Sequence, residues 1–245
     1  MIVSDHGFST VDLALDAAER LRAAGFDAVR NFPAAPKPGQ ILIVSLGGSM
    51  EFYVAGHEAA TVRRLIDYLQ HSDFAGVILT RTPQSGAFDF ARLHIATPDA
   101  PDVLVAARWN SRPNEFGTAD EVASDIGRRV GEGTHTTLSP SDMNNTLVAS
   151  GPDFRRGWID ELPTGNVDLA PTIASILGLT TPKMDGRVLT EALIGGSPAP
   201  AAVTDEMKAE RSLGKTIWRQ TLRLTTVGKT TYFLEGNGGE EAKPR

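Results

Sequence analysis

Short apolar runs alternate with polar segments rich in glycine and proline along this chain, a pattern typical of a mixed α/β protein. Continuous apolar strands are predicted at residues 41–46, 77–80 and 103–109, and residues 50–54 are the expected hairpin partner of the first. Strands that are apolar along their whole length are usually buried on both faces. We therefore expect a sheet that is covered on both sides.

Apolar residues at helical spacing predict three helices. The first begins at Ser9, its expected N-cap, and stops at Gly25. The second covers residues 58–70, and a short third covers residues 168–177 with Asp168 as its cap. The apolar face of the first helix is formed by Val11, Ala14, Leu15, Ala18 and Leu21.

The remaining segments have weaker patterns. Further strands are expected at residues 26–30, 88–95, 146–150, 221–226 and 230–234, of which 146–150 is predicted to lie in the core. Residues 110–140 form a polar, glycine-containing stretch, and the polar tail from about residue 235 is expected to fray. Because no internal repeat or second composition type is visible, we expect one domain over residues 1–245.

Composition excludes several classes of function. The 245-residue chain has a formal net charge of −6, which disfavours binding of nucleic-acid polymers, because these require clustered Lys and Arg. It has no cysteine, so any zinc site must use His and carboxylate ligands. No apolar run approaches the roughly 20 residues of a membrane span. The compartment stays open, since a signal peptide would lie upstream if the chain is a shortened piece.

Two of the five histidines occur in glycine-bounded loop sequences that favour ligand duty. Asp5 and His6 end a short apolar run and precede Gly7, while His135 follows Gly131 and Gly133 in the segment Gly-Glu-Gly-Thr-His-Thr-Thr. Ligands in α/β sheets bind just outside the carboxyl ends of strands, where a turning backbone lets adjacent side chains converge. Asp5 and His6 can therefore converge on one cation or on two neighbouring cations, with Gly7 removing the Cβ that would crowd this approach, and His135 could share the site only if the fold brings it there. An Asp-His pair taken alone is more often part of a surface turn.

The other three histidines are interpreted structurally. His57 lies near the start of the second predicted helix, and His71 lies at its end, where a positive charge suits the helix dipole. His94 lies in a predicted strand and is interpreted as a structural residue. None of the three is assigned a role in binding.

Three segments together carry a family resemblance. They are Ser4-Asp5-His6-Gly7, the stretch from Gly133-Thr134-His135 to Gly151-Pro152-Asp153-Phe154, and the stretch from Asn166-Val167-Asp168 to Leu179. In order and spacing they resemble the C-terminal half of the type I phosphodiesterase/nucleotide pyrophosphatase family, within the alkaline phosphatase superfamily. The Asp-His-Gly element alone is shared with phosphatases and phosphomutases, whereas the Gly-Pro-Asp-Phe segment narrows the resemblance to the phosphodiesterase branch.

The resemblance implies a three-layer α/β/α alkaline-phosphatase-like core, incomplete at its N-terminal side, and a centre with two Zn²⁺ ions. Asp5 and His6 would hold one zinc and His135 the other. Two cations can clamp a phosphoryl group and activate a hydroxyl for in-line attack. The implied substrate is a small phosphorylated molecule, such as a nucleotide or phosphodiester.

The resemblance also implies what this chain lacks. The family places its nucleophile and three further zinc ligands upstream of the Asp-His-Gly element, so no catalytic residue is assigned and substrate-binding residues stay unknown. We expect the chain to be inactive alone, and to expose sheet edge and apolar helix faces. Two alternatives stay open: a phosphomonoester or phosphonate hydrolase or phosphomutase of the same superfamily, and a non-catalytic truncated remnant.

The sequence departs from the family pattern at two positions. Thr136 stands where a small residue is expected after the histidine, and Asn144 stands where relatives commonly have histidine. Asn144 is not among the implied ligands, so this difference weakens the assignment to a subgroup more than the expectation of metal binding.

Overall fold

A computed structural model describes residues 1–198 and 200–243. The strands in these residues are β1 (Ile2–Val3), β2 (Ser9–Leu15), β3 (Ala28–Val29), β4 (Ile41–Ser45), β5 (Ser49–Val54), β6 (Ala75–Thr80), β7 (Phe88–Asp89), β8 (Val103–Ala107), β9 (Trp109–Asn110), β10 (Glu121–Asp125), β11 (Gly133–Thr134), β12 (Leu147–Val148), β13 (Ala202–Leu213), β14 (Thr216–Val227) and β15 (Thr230–Ala242). The helices are α1 (Ala17–Ala23), α2 (Ala59–Gln70), α3 (Pro140–Met143) and α4 (Leu169–Ile176). The expected mixed α/β class is confirmed.

A six-stranded mixed sheet forms the centre of the structure, in the order β3-β4-β5-β8-β6-β7. The predicted hairpin of β4 and β5 is antiparallel, and β8 inserts between β5 and β6. Helices α1 and α2 supply the apolar residues of one core, where Leu21, Leu65 and Leu69 pack with Ile43, Phe52 and other residues of the sheet. The apolar spacing of α2 explains this packing, since its residues 62, 65, 66 and 69 are all buried.

A three-stranded antiparallel sheet, β13-β14-β15, packs beside β6. Val77 and Leu79 of β6 cluster with Leu222 of β14, whereas Ile78 belongs to the core that the helices cover. The buried side-chain amide of Gln220 accepts a hydrogen bond from Ile78 N (2.8 Å) and donates one to Ile78 O (3.0 Å). Gln220 therefore satisfies backbone groups on β6 that would otherwise be buried without partners.

A four-stranded sheet, β11-β2-β10-β9, brings distant segments together. β2 is parallel to β10 and antiparallel to β11, which carries the residues before His135. At the end of β10 the buried Asp125 accepts hydrogen bonds from Arg30 Nη1 (2.7 Å), Arg30 Nη2 (2.8 Å) and Ala17 N (2.8 Å). This ion pair fixes the start of α1 next to the end of the β2–β10 pair.

The helix predicted from Ser9 to Gly25 is wrong in its first half. Residues 9–15 form β2, because Val11, Leu13 and Leu15 also recur at the period of a strand, and pairing with β10 and β11 selects that period. The helical part is α1, and its N-cap is Asp16, which accepts hydrogen bonds from Ala18 N and Glu19 N.

Several strand predictions need correction. The polar stretch 110–140 contains β10, whose polar residues Ser124 and Asp125 are buried because they find partners. Residues 88–95 form a strand only at β7 and continue as a 3₁₀ turn, so His94 is an exposed cap rather than a strand residue. The core strand expected at 146–150 is β12, a two-residue strand with Val148 exposed.

The frayed tail expected from residue 235 is also wrong as far as Ala242, because residues 235–242 continue β15. The continuation of β15 past β6 depends on a glycine. A Cβ placed at Gly238 would lie 2.2 Å from Gly76 O, so the strand can cross β6 closely only without a side chain there. The strand β13 lies in a region for which the sequence pattern predicts no element.

Large apolar side chains are exposed around the small β1–β12 sheet. Ile2 is 73% exposed, and Met1, Val148, Trp158 and Ile159 line one cavity of about 400 Å³. These residues lie in or beside two short strands and in a loop, so they are not the apolar helix faces that we expected to be exposed. Within residues 1–198 and 200–243, no helix has the length and apolar character that crossing a membrane requires.

Candidate functional site

Strand pairing brings the two predicted ligand segments together. β2 and β11 are antiparallel with Ser9 opposite Thr134, and continuing this register places His135 opposite Phe8. The loop of residues 4–8 therefore lies beside His135, although 129 residues separate His6 from His135. The convergence of these two histidines, expected from the sequence, is confirmed.

The two imidazole rings are stacked. Their centroids are 4.0 Å apart and their planes differ by 11°. The ring of Phe8 lies 5.8 Å from that of His135 and 6.2 Å from that of His6, so three rings form one aromatic group. Nothing in the sequence singles out Phe8 beyond its position directly after Gly7.

A hydrogen bond to the backbone fixes the tautomer of the His6 ring. Its Nδ1 lies 2.6 Å from the carbonyl oxygen of Gly7, which can only accept, so Nδ1 carries the proton. The second nitrogen, Nε2, then has a free lone pair in the neutral ring. Metal-binding histidines commonly donate their other N–H to a backbone carbonyl in this way.

The carboxylate of Asp5 lies beside the second ring nitrogen of His6. Its Oδ2 lies 3.4 Å from His6 Nε2. Two ligands held about 2.1 Å from a tetrahedral zinc are themselves separated by about 3.4 Å. The side chain of Asp5 is 85% exposed, and its backbone oxygen accepts a hydrogen bond from Asn166 Nδ2 (2.7 Å). The donor types and their separation thus fit a zinc ion.

His135 contributes an unsatisfied polar atom. Its Nδ1 is buried and has no hydrogen-bond partner. A buried polar group without a partner costs about 1–3 kcal/mol, so such an atom in a native structure calls for an explanation. A metal ion is one partner that would satisfy it, and imidazole suits zinc.

A complete metal site is not formed by these residues alone. In the described part of the chain, no group of three or more His, Cys, Asp or Glu side chains has an arrangement that could hold a metal ion. Asp5 and His6 supply two donors, whereas the ring of His135 is stacked on that of His6 and is not grouped with them as a third ligand. Catalytic zinc ions usually have three protein ligands, so further donors are needed.

The carboxylate of Asp142, which sequence reasoning missed, holds the two site segments together. It accepts hydrogen bonds from Ser9 Oγ (2.5 Å), Thr137 N (2.8 Å) and Thr137 Oγ1 (2.6 Å). Asp142 is buried, and Ser139 Oγ contacts both Ser9 Oγ and Asp142 N. The local signal was the Ser-Pro-Ser-Asp sequence that begins α3, but its partner in β2 is visible only in the fold.

Backbone contact completes this connection. Gly7 N donates to Asp142 O (2.8 Å), and Phe8 N donates to Ser141 O (3.0 Å). A Cβ at Gly7 would lie 1.8 Å from Ser141 O and 2.6 Å from Asn144 O. The glycine is therefore needed because two backbone segments touch, and not because of an approaching cation as the sequence suggested.

A cavity of about 650 Å³ opens beside Asp5 and His6. Its other walls are the segments 142–145, 160–167 and 231–234. Apart from His6, the charged side chains that line it are the carboxylates of Asp5, Asp142, Asp160 and Glu161. Because no Lys or Arg stands among these described lining residues, an anion entering this cavity would need a cation to accompany it.

A buried hydrogen-bond network supports the far wall. The carboxylate of Asp168 accepts hydrogen bonds from Gly165 N (2.9 Å), Arg187 N (2.8 Å) and the hydroxyl of Tyr232 (2.8 Å). Asp168 occupies the predicted cap position of α4, but its side chain makes no capping bond to that helix. Burial, and then the adjacent carboxylate of Asp168, raise the pKa of Tyr232 to about 12.

The other histidines lie outside this site. His71 caps the C-terminus of α2, as expected, and its Nδ1 lies 3.0 Å from Glu240 Oε2. His57 precedes α2, and its Nδ1 lies 2.7 Å from the buried Asp102.

Comparison of the chain with protein-family models, with curated proteins and with solved structures found no match. The functional interpretation therefore depends on the residues and geometry described above.

We predict that Gly7→Ala destabilises the protein by about 3 kcal/mol, because the new methyl group would overlap the backbone of residues 141–144. Urea unfolding of the metal-free protein measures this change. Gly165→Ala is the matched control, since a Cβ there meets its nearest atom at 3.4 Å and the backbone φ is −140°. Equal destabilisation of both variants would contradict the role given to Gly7.

A second prediction concerns alkaline pH. The pKa of Tyr232 is raised above its value of about 10 in an unfolded chain, so the unfolded state loses the phenolic proton first as pH rises. Stability that is present below pH 10 should fall by about 2 kcal/mol between about pH 10 and 12. Tyr232→Phe should flatten this part of the urea-unfolding profile, whereas Tyr53→Phe should change it less. An unaltered profile in Tyr232→Phe would refute the assignment.

Proposed function

We propose that this chain forms part of a zinc-dependent hydrolase of phosphodiester or pyrophosphate bonds, similar to nucleotide pyrophosphatases/phosphodiesterases and built on an alkaline-phosphatase-like α/β/α core. The observation that carries the proposal is the stacking of His6 and His135, with centroids 4.0 Å apart, across 129 residues of sequence. Helices α1 and α2 cover one face of the mixed sheet, as in such a core, whereas the β13–β15 sheet packs against β6 from the other side.

The stacked arrangement favours two metal ions over one. A histidine nitrogen binds a metal in the plane of its ring, so two nearly parallel rings direct their lone pairs along separate planes. Asp5 and His6 would hold one Zn²⁺, and His135 would contribute to the other.

Each residue then has a defined task. Asp5 would supply negative charge to its zinc, and His6 would be held in the correct tautomer by the carbonyl of Gly7. His135 would gain a partner for its buried Nδ1. Bound zinc would neutralise phosphoryl charge and lower the pKa of a hydroxyl nucleophile. No residue of this chain is proposed as that nucleophile.

The acidic cavity supports a small phosphorylated substrate that binds together with metal ions. Carboxylates alone repel a phosphate group, so the cavity beside His6 would admit one only where cations offset that charge. A cavity of about 650 Å³ is of the size used for small-molecule ligands.

Zinc binding tests the proposal directly. We expect the metal-free chain to bind Zn²⁺ in isothermal titration calorimetry, and His6→Ala or His135→Ala to weaken binding at least tenfold, about 1.4 kcal/mol. His94→Ala is the control, because this exposed histidine caps a 3₁₀ turn away from the site. Equal loss in all three variants, or no binding by the parent protein, would refute the metal centre.

Hydrolysis of a p-nitrophenyl phosphodiester with added zinc tests the second part. The three donors Asp5, His6 and His135 are too few for two catalytic zinc ions, so we expect no turnover by this chain alone. Robust turnover that His135→Ala abolishes would show that the chain is complete as an enzyme. Phosphomonoester and phosphonate substrates in the same assay would separate the related activities of this superfamily.

A further inference from the structure

Thr136 has an unfavourable backbone conformation directly beside a proposed ligand. Its φ is +76°, in the left-handed region that β-branched residues avoid. Strain of this kind persists only where surrounding contacts impose it, and it is frequent at functional sites. The contacts that impose it here are hydrogen bonds to a neighbouring turn.

The turn between β4 and β5, residues 46–48, holds the backbone around His135. Thr136 Oγ1 donates a hydrogen bond to Leu46 O (2.8 Å), and Gly48 N donates one to His135 O (3.0 Å). The second bond holds the carbonyl of the peptide group that joins residues 135 and 136, and the first anchors the side chain of Thr136, the residue that follows this peptide. On the following residue, Asp142 binds both the N–H and the hydroxyl of Thr137.

Two glycines allow the turn to come this close. A Cβ at Gly48 would lie 2.6 Å from His135 O and 2.4 Å from Thr137 Cγ2. A Cβ at Gly47, where φ is +88°, would lie 2.5 Å from Thr134 Oγ1. The sequence predicts these glycines only as the end of a strand, but in the fold they also contact residues 134–137.

We propose that the 46–48 turn is a positioning platform for His135, and that Thr136 and Gly48 are positioning residues that direct its ring onto His6. The purpose of the platform rests on the proposed zinc centre, but its existence does not. A turn that merely closes the β4–β5 hairpin would have no reason to hold Thr136 in a strained conformation. A platform that orients His135 has such a reason, because the backbone conformation around residues 135 and 136 sets the direction of the His135 ring.

Thr136→Gly separates positioning from stability. Glycine adopts a φ of +76° without strain, so the melting temperature should stay the same or rise. The variant lacks the hydroxyl that binds Leu46 O, so only the bond from Gly48 N to His135 O still ties the 135–136 peptide to the turn. We expect the nuclear Overhauser contacts between the rings of His6 and His135 in the metal-free protein to weaken, and zinc affinity to fall about tenfold.

Thr136→Ser is the matched variant, because it keeps the hydroxyl and removes only the methyl group. It should preserve both the ring contacts and the zinc affinity. Gly48→Ala should disturb the ring contacts as Thr136→Gly does, with Gly165→Ala as the glycine control.

The outcomes are distinguishable. Ring contacts that survive in Thr136→Gly, or that are missing from the parent protein, would overturn the positioning role. If the ring contacts respond as expected but no variant and no parent protein binds zinc, the platform stands and the proposed metal function fails.

Discussion

The buried carboxylate of Asp142 is the interaction on which the site depends. It joins β2, through Ser9, to the segment after His135, through Thr137, and the short helix α3 presents it from a third direction. A buried carboxylate is costly unless its oxygens are satisfied, and here three donors satisfy it. Without these bonds, β2 would lose its side-chain link to the segment after His135, and the loop with Asp5 and His6 would be held by the backbone bonds of Gly7 and Phe8, the bond from Asn166 and the ring contacts.

The pattern of apolar and polar residues predicts those elements whose apolar spacing fits only one type of secondary structure. The hairpin of β4 and β5 and the helix α2 follow from runs and spacings that allow one interpretation. The pattern of residues 9–15 allows two interpretations, because its apolar residues fit a helix and a strand alike. Only the pairing with β10 selects the strand. β10 itself was hidden because it ends in Asp125, a residue whose burial depends on the distant Arg30.

The same division applies to the candidate site. His6 and His135 could be named from the sequence because ligand chemistry is carried by residue type and by short glycine-bounded motifs. The supporting residues could not be identified in this way, because Asp142, Phe8 and Thr136 act through contacts between segments that are distant in the sequence. Gly7 was chosen correctly but for the wrong reason, since its constraint is a backbone contact with Ser141.

The wide sequence separation of the paired strands also sets an order of assembly. The β13–β15 meander is built from adjacent strands joined by short turns, so it closes small loops and can form early. The β2–β10 and β2–β11 pairs close loops of more than 100 residues, and their formation carries a larger entropy cost. We therefore expect the two histidines to meet only after the β13–β15 meander has formed.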